Sequence, residues 1–215
     1  MRLIFALAAL CLLAGCSGGG SSSPPSSAPI VLNMNASSWV FQYSPNMPGT
    51  PTQVGTGWLF NFPSVNGVHY LVQGGNGRIV GSGMSANVSI TKTDGALFME
   101  AQPCGDYNPM NAKFRFYFQR RGDDVSGQGV YEYYRWFTSE GYSLASGDGT
   151  FTVPFDPAKW VSVFGKTGDT NPSGFASAMA DVQAIGITFG GCFAGHGVFV
   201  SEGQAIFQAN EVKIY

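Results

Sequence analysis

The sequence predicts an all-β domain built as an antiparallel β-sandwich, and three observations lead to this fold class. Charged residues make up only 11% of the chain and aromatic residues 14%, while glycine occurs 30 times. Such a composition is rich in strand and turn formers and poor in the residues that build surface helices. From residue 30 onward, short apolar or alternating segments are separated by turn residues, and no repeat of roughly 20 to 50 residues is evident. This spacing favours a sandwich or barrel over alternating strands and helices.

The first residues are typical of a bacterial export signal. Arg2 supplies a positive charge, and residues 3–13 form an apolar run that is too short to span a bilayer comfortably. The run ends in the motif L-A-G-C, which resembles the lipobox of bacterial lipoproteins. This resemblance implies that residues 1–15 are a signal peptide and that the thiol of Cys16 carries lipid, including palmitate, which anchors the chain in a membrane. An ordinary secretory leader with a chance cysteine is the alternative.

A flexible tether follows the lipidated cysteine. Residues 16–29 are rich in Gly, Ser and Pro and hold no apolar side chain that would start a core. Ser17 stands where an aspartate would otherwise follow Cys16, which resembles the pattern of lipoproteins sorted to the outer membrane. The resemblance implies a lipid-anchored protein of the bacterial cell envelope. We expect the rest of the chain, residues 30–215, to form a single folded domain. The formal net charge of −2 gives no field that attracts nucleic acid, so we expect no nucleic-acid partner.

Two cysteines lie in the predicted domain. Cys104 and Cys192 are the only cysteines after the lipidated position. An exported domain matures in an oxidising compartment, where two remaining cysteines commonly pair. We therefore predict a disulfide between Cys104 and Cys192, with two buried free thiols as the alternative.

The domain contains a succession of predicted strands and one predicted helix. Each strand segment is short, apolar or alternating, and bounded by turn residues. The helix is predicted near residues 173–180, because a capping candidate precedes it and Phe175 and Met179 lie four residues apart. The predicted strands lie near residues 39–43, 57–62, 69–73, 85–91, 96–101, 113–121, 130–137, 149–153, 184–189, 196–200 and 204–215.

A long antiparallel hairpin over residues 113–137 is the central prediction. Its first arm alternates with a period of two, which places Phe114, Phe116 and Phe118 on one face, in the core. The Gly- and Asp-rich middle supplies turn residues. The opposite face of the first arm presents Arg115, Tyr117, Gln119 and Arg121.

The second arm of the hairpin is expected to extend this polar face. In one phase of the alternation, Tyr131, Tyr133 and Arg135 share the face with the polar residues of the first arm. Tyr134 and Trp136 then point into the core. The opposite phase fits the pattern almost as well, so both phases stay open.

The C-terminal segments resemble a known fold. Within residues 184–189, Thr188 shares one face with small residues, which would give a ligand room to approach. The sequences A-I-G-I-T-F-G-G-C-F-A-G-H-G-V-F-V and G-Q-A-I-F-Q-A-N-E-V-K-I-Y resemble the closing strands of galactose-binding-like jelly rolls. The arms F-Y-F-Q-R-R-G-D-D and Y-Y-R-W-F are similar to central strands of exported bacterial domains of the same group. The resemblance implies a jelly-roll β-sandwich of the kind found in carbohydrate-binding modules.

The function that this resemblance implies is non-covalent binding of an oligosaccharide or polysaccharide. Such modules use a sheet face on which aromatic rings stack on sugar rings while polar side chains bond the hydroxyl groups. A non-enzymatic interaction or structural module that contacts a protein partner through the same face is the alternative, and a solvated face without a ligand also fits. We expect Tyr117→Ala to weaken binding and leave the fold intact. The candidate ligand-binding residues are Arg115, Tyr117, Gln119, Arg121, Tyr133, Arg135, Thr188 and His196.

Catalytic and metal chemistry find little support in the sequence. Glycoside hydrolysis needs two carboxylates about 5 to 9.5 Å apart in a cleft, whereas Asp123 and Asp124 are adjacent on a predicted turn. The chain has only two histidines, His69 and His196, too few for a zinc site without acids. We therefore predict no enzymatic activity and no required cofactor. A structural calcium ion near the paired termini is the one metal that the resemblance suggests. Its candidate oxygen ligands are Asn33, Asn35 and Glu211.

Overall fold

The computed structural model describes residues 30–102, 112–144, 147–191 and 195–215, and these residues form an antiparallel β-sandwich. The all-β fold class predicted from composition and strand spacing is confirmed, and so is the short helix. The arrangement of the strands is compatible with a jelly-roll domain.

Several predictions fall outside the described residues. These are the signal peptide, the lipidation site Cys16, the tether, and the disulfide between Cys104 and Cys192. They stay predictions from the sequence.

The described residues contain fourteen strands and one α-helix, which we number in chain order. The elements are β1 (Trp39–Gln42), β2 (Thr52–Val54), β3 (Gly57–Asn61), β4 (Tyr70–Gly77), β5 (Gly83–Lys92), β6 (Leu97–Glu100), β7 (Lys113–Arg120), β8 (Arg135–Thr138), β9 (Tyr142–Ser143), β10 (Gly149–Pro154), β11 (Trp160–Val161), α1 (Pro172–Ala180), β12 (Val182–Gly190), β13 (Val198–Glu202) and β14 (Ala205–Ile214).

The strands form two facing sheets and a small ribbon. The larger sheet has the order β1-β4-β12-β7-β8-β11, with β9 paired to β7, and the smaller sheet has the order β10-β5-β14-β3-β2. Strands β13 and β6 form the ribbon. The central strand β12 lies between β4 and β7, and its register sets Thr188 opposite Arg115 and Gly186 opposite Tyr117. Residues far apart in the sequence therefore share one face of the larger sheet.

The main core lies between the two sheets and is dominated by aromatic side chains. All four tryptophans of the chain, Trp39, Trp58, Trp136 and Trp160, are fully buried. The three phenylalanines of β7 point into the same core, as the period-two alternation predicts. Burial of one large apolar side chain contributes roughly 1.5–3 kcal/mol to the free energy of folding, so these rings are a main source of stability.

Helix α1 closes one end of the sandwich. It begins after Asn171, whose Oδ1 accepts a hydrogen bond of 3.0 Å from the backbone N–H of Gly174 and so caps the first turn. Phe175 is the main apolar contact of the helix, and its ring lies 5.1 Å from Trp136 and 5.6 Å from Phe118. Within the described residues, the helical segments fall short of the length and apolar content that a bilayer crossing requires.

The second arm of the predicted hairpin is only partly a strand. β7 and β8 pair as predicted, with Gln119 opposite Arg135, but Gly129–Tyr133 form a 3-10 helix instead of the expected strand over residues 130–137. Gly129 has a φ of +57°, a conformation that interrupts a strand and suits glycine. The rings of Tyr133 and Trp136, three residues apart, then stack at 6.2 Å. Tertiary packing of these aromatic residues outweighs their preference for strands.

Candidate functional site

The polar row predicted on β7 lies on the face of the larger sheet that points away from the main core, here called the outer face. The side chains of Arg115, Tyr117 and Gln119 occupy this face, as the alternation predicts. They are not open to a ligand, because Tyr117 is only 2% exposed, Arg115 6% and Gln119 8%. The expectation of an accessible sugar-binding face is therefore wrong for these residues in this conformation.

A polar network inside the protein uses the groups that were expected to bind sugar. The Tyr117 hydroxyl donates to Oε1 of Gln119 at 3.1 Å, and Nε2 of Gln119 donates to Oδ2 of Asp123 at 2.8 Å. Nε of Arg135 lies 2.8 Å from the same Asp123 oxygen, in an ion pair whose N–H is not aligned as a hydrogen bond. The segment after β7 folds back over the outer face and places Asp123 in this network.

A second apolar cluster surrounds the network on the outer face. Tyr70, Tyr117 and Phe137 meet there, with ring centroids 5.0 Å apart for the two tyrosines and 5.1 Å apart for Tyr117 and Phe137. Burial raises the pKa of Tyr70 to about 12, and it raises the pKa of Tyr117 well above the ordinary tyrosine value. Both hydroxyls are therefore neutral at physiological pH.

Arg115 is also held by the protein itself. Its Nε donates to the backbone carbonyl of Thr138 at 3.2 Å, and Gly141 packs against the guanidinium so closely that a Cβ there would lie 2.9 Å from Cζ. Burial lowers the pKa of Arg115 to about 10, while the nearby Glu100 acts in the opposite direction. The guanidinium still carries its charge at neutral pH.

The small-residue floor predicted on β12 is covered as well. Thr188 is 1% exposed, and its hydroxyl donates to the backbone carbonyl of His69 at 3.0 Å. Gly195 lies directly on Thr188 and Tyr70, leaving no room for a side chain there. Its φ of +61° also favours glycine at this position. A ligand therefore has no path to Thr188 in this conformation.

The remaining predicted residues do not gather at one place. Arg121 pairs with Asp181, with Nε 3.1 Å from Oδ1, and it donates to Oδ1 of Asn76 at 2.9 Å. Nδ1 of His196 lies 3.2 Å from the backbone carbonyl of Gln102. The predicted set of eight residues is thus spread over a buried network and separate loop contacts, and Tyr133 borders a sizeable cleft.

That cleft lies between the 3-10 helix Gly129–Tyr133 and the first turns of α1, and we call it the α1 cleft. It has a volume of about 630 Å³, within the range of roughly 300–1,000 Å³ that is usual for ligand pockets. Its lining residues come from three segments that are separate in the sequence. They are Arg120, Gly129, Val130, Tyr133, Tyr134, Asn171, Ser173, Gly174 and Ser177.

Aromatic rings form one wall of the α1 cleft. The ring of Tyr134 contacts the guanidinium of Arg120, whose Cζ is 4.7 Å from the ring centroid, and the tilted ring of Tyr131, 5.0 Å away. Tyr133 stacks on the buried Trp136, and its hydroxyl accepts a hydrogen bond of 3.4 Å from Nζ of Lys166. Both rings are partly exposed and fixed by their neighbours. The wall is therefore organised before any ligand arrives.

Amide and hydroxyl groups form the opposite wall. Oδ1 of Asn171 accepts hydrogen bonds from Gly174 N and, at 3.1 Å, from the hydroxyl of Ser173. This arrangement leaves the amide N–H groups of Asn171 and the acceptor lone pairs of Ser173 available, and Ser177 follows one turn later on the same side. The wall offers both donors and acceptors to a polar ligand.

The acidic residue of the 3-10 helix does not line the cleft. Glu132 is buried, and Nζ of Lys166 lies 3.2 Å from its Oε2, while the hydroxyl of Ser162 lies 3.4 Å from Oε1. This pairing also raises the pKa of Lys166 through the hydrogen bonds to Glu132 and Tyr133. The described residues that line the cleft include no carboxylate.

The sequence contains no local pattern that predicts the α1 cleft. The alternation places Tyr134 in the core in only one of the two open phases of the second arm, and Arg120 follows Phe118 in the core phase of β7. The capping sequence before α1 marked the helix start, yet nothing local connects Asn171 to Tyr134. Only the docking of α1 brings these residues together.

The proposed ligands of a structural calcium ion are used within the protein. Oδ1 of Asn33 accepts from the N–H of Asn35 at 2.8 Å, and Oδ1 of Asn35 accepts from the N–H of Ser37 at 3.1 Å. Glu211 pairs with Lys213 at 2.7 Å. In the described part of the chain, no three His, Cys, Asp or Glu side chains cluster as metal ligands would.

Fold and cleft together define a β-sandwich module with a preorganised aromatic and polar cleft at one end. Comparisons of the chain with protein-family models, with curated proteins and with solved structures gave no match.

Proposed function

We propose that this chain is a lipid-anchored protein of the bacterial cell envelope whose β-sandwich binds carbohydrate non-covalently in the α1 cleft. The observation that carries the proposal is the pair of fixed, partly exposed rings of Tyr133 and Tyr134 facing the polar groups of Asn171 and Ser173. Sugar recognition combines these two kinds of group, because the apolar face of a pyranose stacks on an aromatic ring while its hydroxyls need donors and acceptors.

The α1 cleft is a better candidate than the outer face of the larger sheet. Tyr117, Gln119 and Asp123 satisfy one another in the buried network, and a sugar would have to break those bonds to bind there. Opening a buried, hydrogen-bonded network costs more than binding in a cleft that is already accessible. The residues of the cleft need no such rearrangement.

The same geometry favours binding over hydrolysis. Glycoside hydrolysis requires a carboxylic acid and a second carboxylate at the sugar, but the described lining of the α1 cleft holds neither. Asp123 and Glu132 are each paired with a cation away from the cleft. We therefore propose a non-enzymatic module.

The sequence supports the proposed location of the protein in the cell envelope. The L-A-G-C motif at Cys16 and the Gly/Ser/Pro-rich residues 16–29 fit an acylated cysteine followed by a spacer. A module that binds glycans at the end of a flexible tether reaches ligands beyond the lipid headgroups. Incorporation of labelled palmitate that is lost in Cys16→Ser tests the anchor.

A glycan array probed with the purified chain in mild detergent tests the binding function. We expect binding of one or more oligosaccharides, a loss of about tenfold or more in affinity for Tyr134→Ala, and no loss for the control Tyr43→Ala. Tyr43 is suited to this comparison because it is an exposed tyrosine on a different loop. Stacking of one aromatic ring is worth roughly 1 kcal/mol or more, which sets the expected size of the effect. Absence of binding at millimolar sugar would contradict the proposal.

A protein-interaction module is the second candidate function. Two large apolar side chains are well exposed: Val130 is 68% exposed at the cleft rim, and Phe164 is 62% exposed on the turn after β11. Exposed apolar groups of this kind mark protein contacts in many domains. If the array shows no glycan and Phe164→Ser abolishes association with an envelope protein, this function takes precedence.

A further inference from the structure

We propose that the α1 cleft recognises an acidic sugar, and that Arg120 binds the carboxylate of a uronic acid residue. This inference rests on the proposed glycan-binding function and specifies its ligand class. It is carried by the placement of Arg120, by the lack of polar partners for its guanidinium, and by the charge balance of the cleft.

Arg120 is held in the cleft by its surroundings. It is the last residue of β7, and its backbone N–H donates to the carbonyl of Tyr134 at 2.7 Å. Its guanidinium lies over the ring of Tyr134, with Cζ 4.7 Å from the ring centroid. A cation stacked on an aromatic ring keeps its N–H edges free, because the contact uses only the flat face of the guanidinium. The N–H groups of Arg120 therefore point outward in the plane of the guanidinium and can donate hydrogen bonds to a ligand.

The guanidinium of Arg120 makes no hydrogen bond or ion pair with the described residues. Its neighbours behave differently, since Arg121 pairs with Asp181 and Arg135 pairs with Asp123. A guanidinium has five N–H donors in a planar fork that matches a carboxylate in two parallel hydrogen bonds. The guanidinium of Arg120 can therefore donate two parallel hydrogen bonds to the carboxylate of a ligand.

The charge balance of the cleft also favours an anion. Among the described residues that line it, Arg120 is the only charged one. The acids that adjoin the lining segments in the sequence are paired with other cations, Glu132 with Lys166 and Asp181 with Arg121. The positive charge of Arg120 is thus uncompensated where a ligand would lie.

The form of the cleft favours a uronic acid over a small free anion. Tyr133 and Tyr134 provide ring surface next to Arg120, which a phosphate or sulfate ion alone would leave uncovered. A pyranose ring that carries a carboxylate covers the aromatic wall and reaches the guanidinium at the same time. Sulfated sugars carry the same negative charge on a tetrahedral group that can also accept two hydrogen bonds from a guanidinium, and the experiment below separates them from uronates.

Matched ligands provide the direct test. Oligomers of galacturonic, glucuronic and mannuronic acid, together with their methyl esters and with sulfated and neutral oligosaccharides, are titrated into the purified full-length chain in mild detergent by calorimetry. We expect at least one uronate oligomer to bind about tenfold or more tightly than its methyl ester, because esterification removes the charge and keeps the ring. The preference should weaken as salt is raised.

Variants assign the preference to Arg120. Arg120→Gln should abolish the difference in affinity between the acid and its ester, and Arg120→Lys should keep part of that difference. Lys92→Gln, which removes an exposed cation from the smaller sheet, is the matched control and should change nothing. Circular dichroism confirms that each variant is folded.

The outcomes separate the two proposals. Equal binding of acids and esters, or a preference for sulfated sugars that Arg120→Gln leaves intact, overturns the role of Arg120 and leaves glycan binding in place. Binding of no glycan in the panel overturns both.

Discussion

Nε of Arg135 lies 2.8 Å from Oδ2 of Asp123, and the Asp123 side chain is fully buried. Asp123 also shapes the turn, because its other carboxylate oxygen, Oδ1, accepts a hydrogen bond of 2.9 Å from the backbone N–H of Val125. The ion pair fastens the segment after β7 onto the outer face of the larger sheet. A residue expected to serve only as a turn former is an anchor of the tertiary structure.

Removal of the Asp123 charge should destabilise the domain strongly. Asp123→Asn leaves the guanidinium of Arg135, whose side chain is 13% exposed, without its counter-charge. Removal of one partner of a buried pair costs about 3–5 kcal/mol, and the partial exposure of Arg135 puts the expected cost at the lower end. We expect a loss of roughly 3 kcal/mol in the free energy of unfolding, measured by urea denaturation at pH 7. The matched control is Asp124→Asn, because Asp124 is exposed and its Oδ1 accepts from Ser126, a bond that Asn also makes. An equal, small effect of both variants would show that the ion pair contributes little.

Tyr117→Ala should unfold or greatly weaken the domain, contrary to the expectation from the sequence. The side chain is buried and contacts Tyr70 and Phe137, and deletion of a buried aromatic ring costs about 3–5 kcal/mol. Tyr117→Phe, which removes only the bond to Gln119, should cost about 1 kcal/mol. The measurement is thermal unfolding of both Tyr117 variants, compared with Tyr134→Ala, which removes a partly exposed ring. A Tyr117→Ala protein as stable as Tyr134→Ala would mean that the outer face opens readily.

Alkaline pH should destabilise the folded state through Tyr70. The pKa of Tyr70 is raised to about 12 by burial, above the ordinary value of about 10 in the unfolded chain. The contribution of neutral Tyr70 to stability is therefore fully present below pH 10 and is lost as pH rises from 10 to 12. The free energy of unfolding should fall by about 2–3 kcal/mol over this range. Denaturant unfolding at pH 9 and pH 12 should show a smaller decrease in Tyr70→Phe than in the parent or in the control Tyr215→Phe, which changes an exposed tyrosine. Identical decreases in all three proteins would exclude Tyr70 as the cause.

Relief of backbone strain at Val125 should stabilise the domain. Val125 has a φ of +67°, which is a true outlier for a β-branched residue and costs about 1–3 kcal/mol. Val125→Asn keeps the backbone bonds to Asp123 and Arg135, and Asn tolerates this conformation. We expect an increase of about 1 kcal/mol in the free energy of unfolding. Val80→Asn, an exposed valine with ordinary φ, should stay within about 0.5 kcal/mol of the parent, and a similar gain there would point to a general surface effect.

Asn171 should contribute separately to stability and to binding. Asn171→Ala removes the helix cap and should cost about 1 kcal/mol, whereas Asn171→Ser restores a capping oxygen. Neither variant has the side-chain amide N–H groups that face the α1 cleft. We expect Asn171→Ser to recover the stability but not the sugar affinity, which unfolding and calorimetry on the same samples will distinguish. Recovery of both would limit Asn171 to its capping role.

The period-two pattern of β7 was sufficient to place its side chains. Alternation depends only on neighbouring residues, so Phe114, Phe116 and Phe118 could be assigned to the core and Tyr117 to the opposite face from the sequence. The same holds for the helix near 173–180, whose cap and apolar spacing are local signals. Fold class and the sides of strands follow from short-range regularities.

Short strands and glycine-rich segments were harder to predict. β9 and β11 have two residues each, too few for any periodicity, and they exist because neighbouring strands pair with them. The strand predicted over residues 69–73 is longer in the structure, since β4 continues to Gly77 by pairing with β12, where Gly75 lies so close to Val182 that a side chain would not fit. Here the neighbouring strand decides the conformation.

Accessibility is the property that only the tertiary structure decided. The sequence showed that Arg115, Tyr117 and Gln119 point away from the main core, but it did not show that another part of the chain covers them. That cover depends on contacts between segments far apart in the sequence, such as Tyr70 against Tyr117 and Gly141 against Arg115. The α1 cleft arises in the same way, since the docking of α1 brings Asn171 to Arg120 and Tyr134. Local patterns determine which way a side chain points, whereas long-range packing determines what it meets there.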